Sequence, residues 1–147
     1  MMHMHQSTLE GPCACTTLRK AARAVARVYD DALAGRGMTT AQFAILRHVA
    51  RGGSVPLSRL ADSLVMDRTS LYRALAPLEA KGWVAVSAGQ GKAKLAALTP
   101  EGHSAMENAE ADWAAVQTRI VGTMGPENWA GLEAGLRALT AFAQEAH

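Results

Sequence analysis

The chain has 147 residues, 30 of them alanine; 49% are apolar and 19% charged, a balance that can bury a core and excludes a disordered chain. No apolar run approaches the ~20 residues of a membrane helix, and two cysteines, Cys13 and Cys15, exclude a disulfide framework. The net charge of +2 is unevenly spread: residues 1–97 hold 13 Lys+Arg against 6 Asp+Glu, and residues 98–147 hold 2 against 7.

Met1 to Glu10 contains two histidines and no apolar signal core, so residues 1–12 are expected to be a flexible arm of a cytoplasmic protein. Over residues 13–34, Leu18, Ala21, Ala22, Val25, Val28, Tyr29 and Ala32 fall on one helical stripe. Arg19, Lys20, Arg23, Arg27 and Asp31 fill the rest of the circumference, and Gly35 and Gly37 end the helix. Thr39 or Thr40 caps a second helix, with Phe43, Leu46, Val49 and Ala50 facing inward and Gly52 and Gly53 stopping it.

Leu57, Leu60, Ala61 and Leu64 make a short amphipathic helix over 57–64, and Val65, Met66 and Asp67 connect it tightly to the next. Asp67 is the expected N-cap of a helix over 68–81, since its carboxylate can accept from the free N–H groups beyond it. Leu71, Leu75 and Leu78 share one face of that helix. Pro77 lies inside it and is expected to bend it or remove a hydrogen bond.

After Gly82 the pattern changes. Trp83 to Val86 and Ala93 to Leu98 look like two strands joined by the turn Ala88-Gly89-Gln90-Gly91, a β-hairpin with a glycine-rich tip. Thr99-Pro100-Glu101 then marks a helix start. Met106, Ala109, Trp113, Val116 and Ile120 form a seam of alternating steps of three and four; Gly122 and Gly125 are expected to break it and Pro126 to restart it. Trp129, Leu132, Leu136, Leu139 and Ala143 repeat the alternation, the spacing of helices that pack at shallow angles.

The fold class is mainly α (α+β): a winged helix-turn-helix core over 38–98 with a two-stranded hairpin wing. It is flanked by dimerisation helices over 13–37 and 99–147. The simplest home for the terminal seams is a second subunit; packing against each other is the alternative.

Residues 39–98 carry eight cations against three acids. Fixed cations on a helix and a wing gain affinity for a phosphate backbone by releasing counterions. Arg68, Thr69, Ser70, Tyr72 and Arg73 occupy the first two turns after Asp67 and avoid the leucine face. A helix that enters a major groove by its N-terminus needs arginines and short hydrogen-bonding residues there. Ser58 and Arg59, at the start of the preceding helix, and Lys92 and Lys94, in the wing, complete the candidate DNA-binding set.

The order and spacing of several segments carry a family resemblance. They are Met38 to Leu46; Leu57-Ser58-Arg59-Leu60-Ala61; Met66 to Arg73; Leu78-Glu79-Ala80-Lys81-Gly82-Trp83-Val84; and Leu98-Thr99-Pro100-Glu101-Gly102. Over residues 13–140 the chain resembles MarR-type (multiple antibiotic resistance regulator) transcription factors. The resemblance implies a homodimer joined by its terminal helices, each subunit offering a recognition helix to half of a near-palindromic operator in double-stranded DNA. It also implies a repressor relieved by a small-molecule effector or an oxidant.

The wing departs from the family pattern. Gln90 and Lys92 stand where the family typically has an Asp and, two positions on, an Arg. Lysine is the poorer minor-groove reader, because a guanidinium sheds its water at lower cost. Weaker wing contacts are expected, with more of the burden on Arg68 and Arg73.

Cys13 and Cys15 open the first helix, where an N-terminus favours the thiolate, and Arg19 lies about a turn away. The functional reading is a redox or effector site; the plain one is small residues packed at a dimer interface. A bridge between residues two apart has poor geometry, so a disulfide would join subunits. His48 follows as a packing or hydrogen-bonding residue, or as part of an effector pocket beside the first helix. His3, His5, Cys13 and Cys15 have metal-ligand chemistry, but the two histidines sit on the arm, so no metal and no cofactor are expected. No phosphate loop, HExxH or G-x-S-x-G motif is present, and no enzyme is expected. The competing reading is a winged-helix protein-interaction module without sequence-specific DNA readout.

Overall fold

The stripe from Leu18 to Ala32 winds as one helix, α1 (Ala14–Leu33), in the computed structural model, which describes residues 11–146. A 3-10 turn over Ala34–Arg36 closes it. Leu33 is its one buried residue, and Leu18, Val25 and Val28 are exposed.

Thr39 caps the next helix, α2 (Thr40–Gly52). Its hydroxyl accepts from the Gln42 N–H at 3.2 Å, and the Gln42 side chain accepts from the Thr39 N–H at 3.0 Å. The Thr40 N–H donates instead to Asp30 Oδ1 at 2.7 Å, which ties α1 to the start of α2. Phe43, Leu46 and Val49 are buried; Ile45 joins them, and Ala50 is half-buried.

Ser54–Pro56 form a strand, β1, which the sequence pattern does not announce. It leads directly into α3 (Leu57–Leu64). Next come α4 (Arg68–Ala80), β2 (Val84–Ala88) and β3 (Lys94–Leu98). β1 and β2 both pair antiparallel with β3, so the sheet has three strands in the order β1-β3-β2, rather than the two expected of the wing. Three residues are too few to show an alternation. β3 supplies an open edge, Val55 is drawn inward opposite Ala96, and Pro56, which lacks an N–H, is tolerated at the sheet's margin.

Val65, between α3 and α4, has φ +55°, a left-handed conformation unusual for a β-branched residue. Its N–H donates to the Asp62 carbonyl at 3.1 Å and that of Met66 to the Ala61 carbonyl at 2.9 Å, which closes α3. Leu71, Leu75 and Leu78 are at most 1% exposed. Burying each contributes about 1.5–3 kcal/mol. α4 runs unbroken through Pro77. Arg73, whose carbonyl loses its helical donor there, and Pro77 both lie on the exposed side, where water can replace the bond.

The Lys81 ammonium donates to the Gly37 carbonyl and stands 4.5 Å from the centre of the Trp83 ring. It thereby joins the end of α4 to the turn after α1. Thr99 Oγ1 donates to the Gly82 carbonyl at 2.5 Å and accepts from the Gly102 N–H at 3.0 Å, which fixes the start of α5 (Pro100–Met124) against the turn before β2. The predicted break at Gly122 does not occur. The chain turns at Gly125, whose φ of +89° suits glycine, and Pro126 opens α6 (Pro126–Glu145).

Two compact units divide the chain, residues 1–109 and 110–147. The first holds the core, with Leu33, Phe43, Leu46, Leu60 and the three leucines of α4 almost fully buried. In the second, Val116 is buried, while α6 buries no residue and leaves Leu132, Leu139 and Phe142 exposed.

Candidate nucleic-acid interface

The recognition surface is built from the N-terminus of α4 outward. Asp67 Oδ1 accepts from the Ser70 N–H at 2.7 Å and Oδ2 from the Ser70 hydroxyl at 2.9 Å. These two bonds, with the nearby Arg73 charge, hold the Asp67 carboxyl below its ordinary value. Ser70 is thus committed to the cap. Arg68, Thr69, Tyr72 and Arg73 remain exposed on the same two turns, away from the buried leucine face.

The end of β1, α3, α4 and the wing border a cleft of about 270 Å³. Its polar lining is Ser58 from α3, Arg68 and Tyr72 from α4, and Lys92 and Lys94 from the wing, with no carboxylate among the lining residues. The Lys94 ammonium lies 5.7 Å from the centre of the Tyr72 ring, a cation–π distance that links wing to helix. The wing itself is held by short bonds: the Gly89 N–H donates to the Ala93 carbonyl at 2.8 Å, and Gly91 takes φ +63° at the tip.

Five of the nine candidate DNA-binding residues therefore line one cleft. Thr69 and Arg73 are exposed elsewhere on α4, and Arg59 faces a second cleft on the other side of α3. The His48 Nδ1 lies 2.7 Å from the Ala44 carbonyl, and this residue also lines that second cleft. The cleft is built by α2, β1 and α3, with no residue from α1, so His48 does not share it with Cys13, Cys15 or Arg19.

Cys13 and Cys15 are free and exposed, as is Arg19. The Cys13 thiol closes no regular cap, but the N–H and hydroxyl of Thr16 and the N–H of Cys15 lower its pKa below the ordinary thiol value. His3 and His5 lie outside the described residues. Among the described residues no group of three or more His, Cys, Asp or Glu is placed to hold a metal ion, and no helix is long and apolar enough to cross a membrane.

A model of the MarR family matches residues 36–93, the span from the turn after α1 to the wing. The chain is also similar to a Mycobacterium tuberculosis transcriptional regulator, MosR, solved with DNA. Identity is 31%, with 92% of this chain and 99% of that chain covered, and the TM-score is 0.85. The chain belongs to the MarR family. Two more distant structures share the MarR fold. A cysteine-to-serine mutant of Escherichia coli MarR, solved with operator DNA, has 22% identity over 84% of this chain and 91% of that one, with a TM-score of 0.77. A MarR-family regulator from Rhodococcus sp. RHA1 has 20% identity over 84% and 89%, with a TM-score of 0.73. No curated protein sequence matches the chain significantly. The chain is thus a MarR-family transcriptional regulator, with the winged-helix fold of its relatives.

Proposed function

We propose that this regulator works as a homodimer that binds a near-palindromic operator in double-stranded DNA. The observation that carries the reading is the carboxylate-free cleft where Ser58, Arg68, Tyr72, Lys92 and Lys94 converge beside the open face of α4. Arg68 and Arg73 suit guanine edges or phosphates, while Ser58 and the wing lysines suit the backbone. The similarity to MosR, a regulator solved with DNA, supports DNA as the partner.

Homodimerisation is supported by the exposed apolar residues of both terminal helices, Leu18, Val25 and Val28 on α1 and Leu132, Leu139 and Phe142 on α6. Side chains of this size at helical spacing are what an intersubunit seam buries. Two bound half-sites also multiply the affinity of one. A dimer on an operator blocks transcription by occupancy, so repression is the proposed outcome. A small ligand, or oxidation of the exposed and acidified Cys13 thiol, is the proposed release.

The test is a mobility-shift series with the DNA upstream of the protein's own gene. Binding that weakens steeply with salt, and is lost on oxidation with hydrogen peroxide and restored by thiol reductant, supports the reading. Absence of binding at low salt overturns it. If Arg68→Ala and Arg73→Ala leave the biological activity intact, the chain is instead a protein-interaction module on a winged-helix scaffold.

A further inference from the structure

A second basic cleft, of about 290 Å³, lies across α3 from the first. His48 and Arg51 enter it from the last turns of α2, Ser54 from β1, and Arg59 and Ser63 from α3. Its lining contains no carboxylate. Arg51 and Arg59 are exposed, and neither makes an ion pair among the described residues. Two guanidiniums are therefore held in one concavity without a counter-charge, beside two hydroxyls.

His48 adds a directed group. With its Nδ1–H donating to the Ala44 carbonyl, the other ring nitrogen, Nε2, is left as an acceptor for a ligand hydroxyl, such as that of a protonated phosphate oxygen. Two planar forks and two hydroxyls are the donor set that suits the tetrahedral oxygens of a phosphate. The position is also continuous with the recognition surface. Pro56 lines both clefts, and the adjacent residues Ser58 and Arg59 face one cleft each.

From this geometry we infer that the cleft between α2, β1 and α3 is a phosphate-binding site, with Arg51 and Arg59 as its charge and His48, Ser54 and Ser63 as its hydrogen-bonding groups. The phosphate comes either from the DNA backbone beyond the span gripped by α4 or from a free phosphate ester. The backbone source rests on the DNA-binding reading above; the free source does not.

The experiment uses the full chain and the variants Arg51→Gln and His48→Gln. Arg119→Gln, an exposed arginine outside both clefts, serves as the charge-matched control. Inorganic phosphate is titrated first, without DNA, and the His48 and Arg51 side-chain NMR signals are followed. Duplex DNA affinity is then measured between about 0.05 and 0.2 M salt. Each phosphate contact adds a slope of about 0.9 to the salt dependence, so Arg51→Gln should lose about threefold less affinity across that range than the parent chain does. That slope change in Arg51→Gln but not in Arg119→Gln supports a backbone phosphate. Saturable phosphate shifts at His48 that vanish in Arg51→Gln, with an unchanged DNA slope, support a free phosphate. If phosphate moves neither signal and the Arg51→Gln slope equals that of Arg119→Gln, the site does not exist. Should the parent chain fail to bind DNA at all, the DNA-binding reading falls while the phosphate titration still decides the cleft.

Discussion

Val65 shows how one residue can carry strain for the sake of a turn. At φ +55° its branched Cβ crowds the backbone, at a cost of about 1–2 kcal/mol that Asn or Gly would largely avoid. Its side chain is 58% exposed, so little packing is lost on replacement. Val65→Asn is expected to stabilise the protein by about 1 kcal/mol, read as a higher urea midpoint with an unchanged slope. An unchanged or lower midpoint would show that Val65 makes an apolar contact worth more than its strain. Gly102 presents the opposite constraint. Any Cβ there would run into the Trp83 carbonyl, which is backbone and has no room to move. Gly102→Ala should destabilise the protein by about 1–3 kcal/mol, measured in the same titration.

Among the elements, α4 has a stability that should depend on pH through its cap. The Asp67 carboxyl is held below its ordinary value by the Ser70 N–H, the Ser70 hydroxyl and Arg73. A lowered folded-state pKa contributes stability that is present above the unfolded value, near 4, and disappears as pH falls through the folded value. Unfolding midpoints should therefore drop as pH falls below the ordinary carboxylate range, near 4. Asp67→Asn, which keeps a cap but cannot ionise, should flatten this part of the profile, whereas Asp67→Ala should lower the midpoint at neutral pH as well. A drop of equal depth in Asp67→Asn would place the titrating group elsewhere. The wing makes a separate prediction. Arg73→Ala should weaken operator binding by about 10- to 100-fold. Lys92→Ala should cost less, because a lysine beside Gln90 is the poorer groove reader. Equal losses in a mobility-shift titration would restore the wing to full weight.

For the molecule as a whole, the exposed apolar residues of α1 and α6 predict that the 15.5 kDa chain does not work alone. Sedimentation should give twice that mass. Leu139→Glu, with Phe142→Glu to deepen the effect, should return it to the single-chain value while leaving the helical circular-dichroism signal of the core in place. Operator affinity should fall by roughly 100-fold or more, since two half-sites would no longer be bound together. A Leu139→Glu, Phe142→Glu chain that still sediments as a dimer would assign the α6 face to another partner. The uneven charge has its counterpart here. The core with its two clefts carries the cations, and the residues after Leu98 carry most of the acids, which a polyanion repels.

Local chemistry made most of the helical architecture legible in the sequence. Leu71, Leu75 and Leu78 share a face because of their spacing alone, and Asp67 and Thr39 cap because their oxygens have nowhere nearer to bond than the next free N–H groups. The order of these segments carried the family. Three things lay beyond the sequence, two of them because they depend on distant partners. Strand β1 exists only because β3 offers it an edge. Gly122 stays helical because a glycine permits a break without requiring one, whereas Gly125 adopts a dihedral that ends the helix. The candidate site divides in the same way. Arg68, Tyr72 and the wing lysines were visible as residue types, but their convergence in one cleft was decided by how α3, α4 and the wing pack, and the separate cleft that gathers His48, Arg51 and Arg59 by how α2, β1 and α3 pack. Sequence fixes what each residue can bond; which residues meet is a property of the folded chain, because contacts between remote segments form only when the core that holds them is complete.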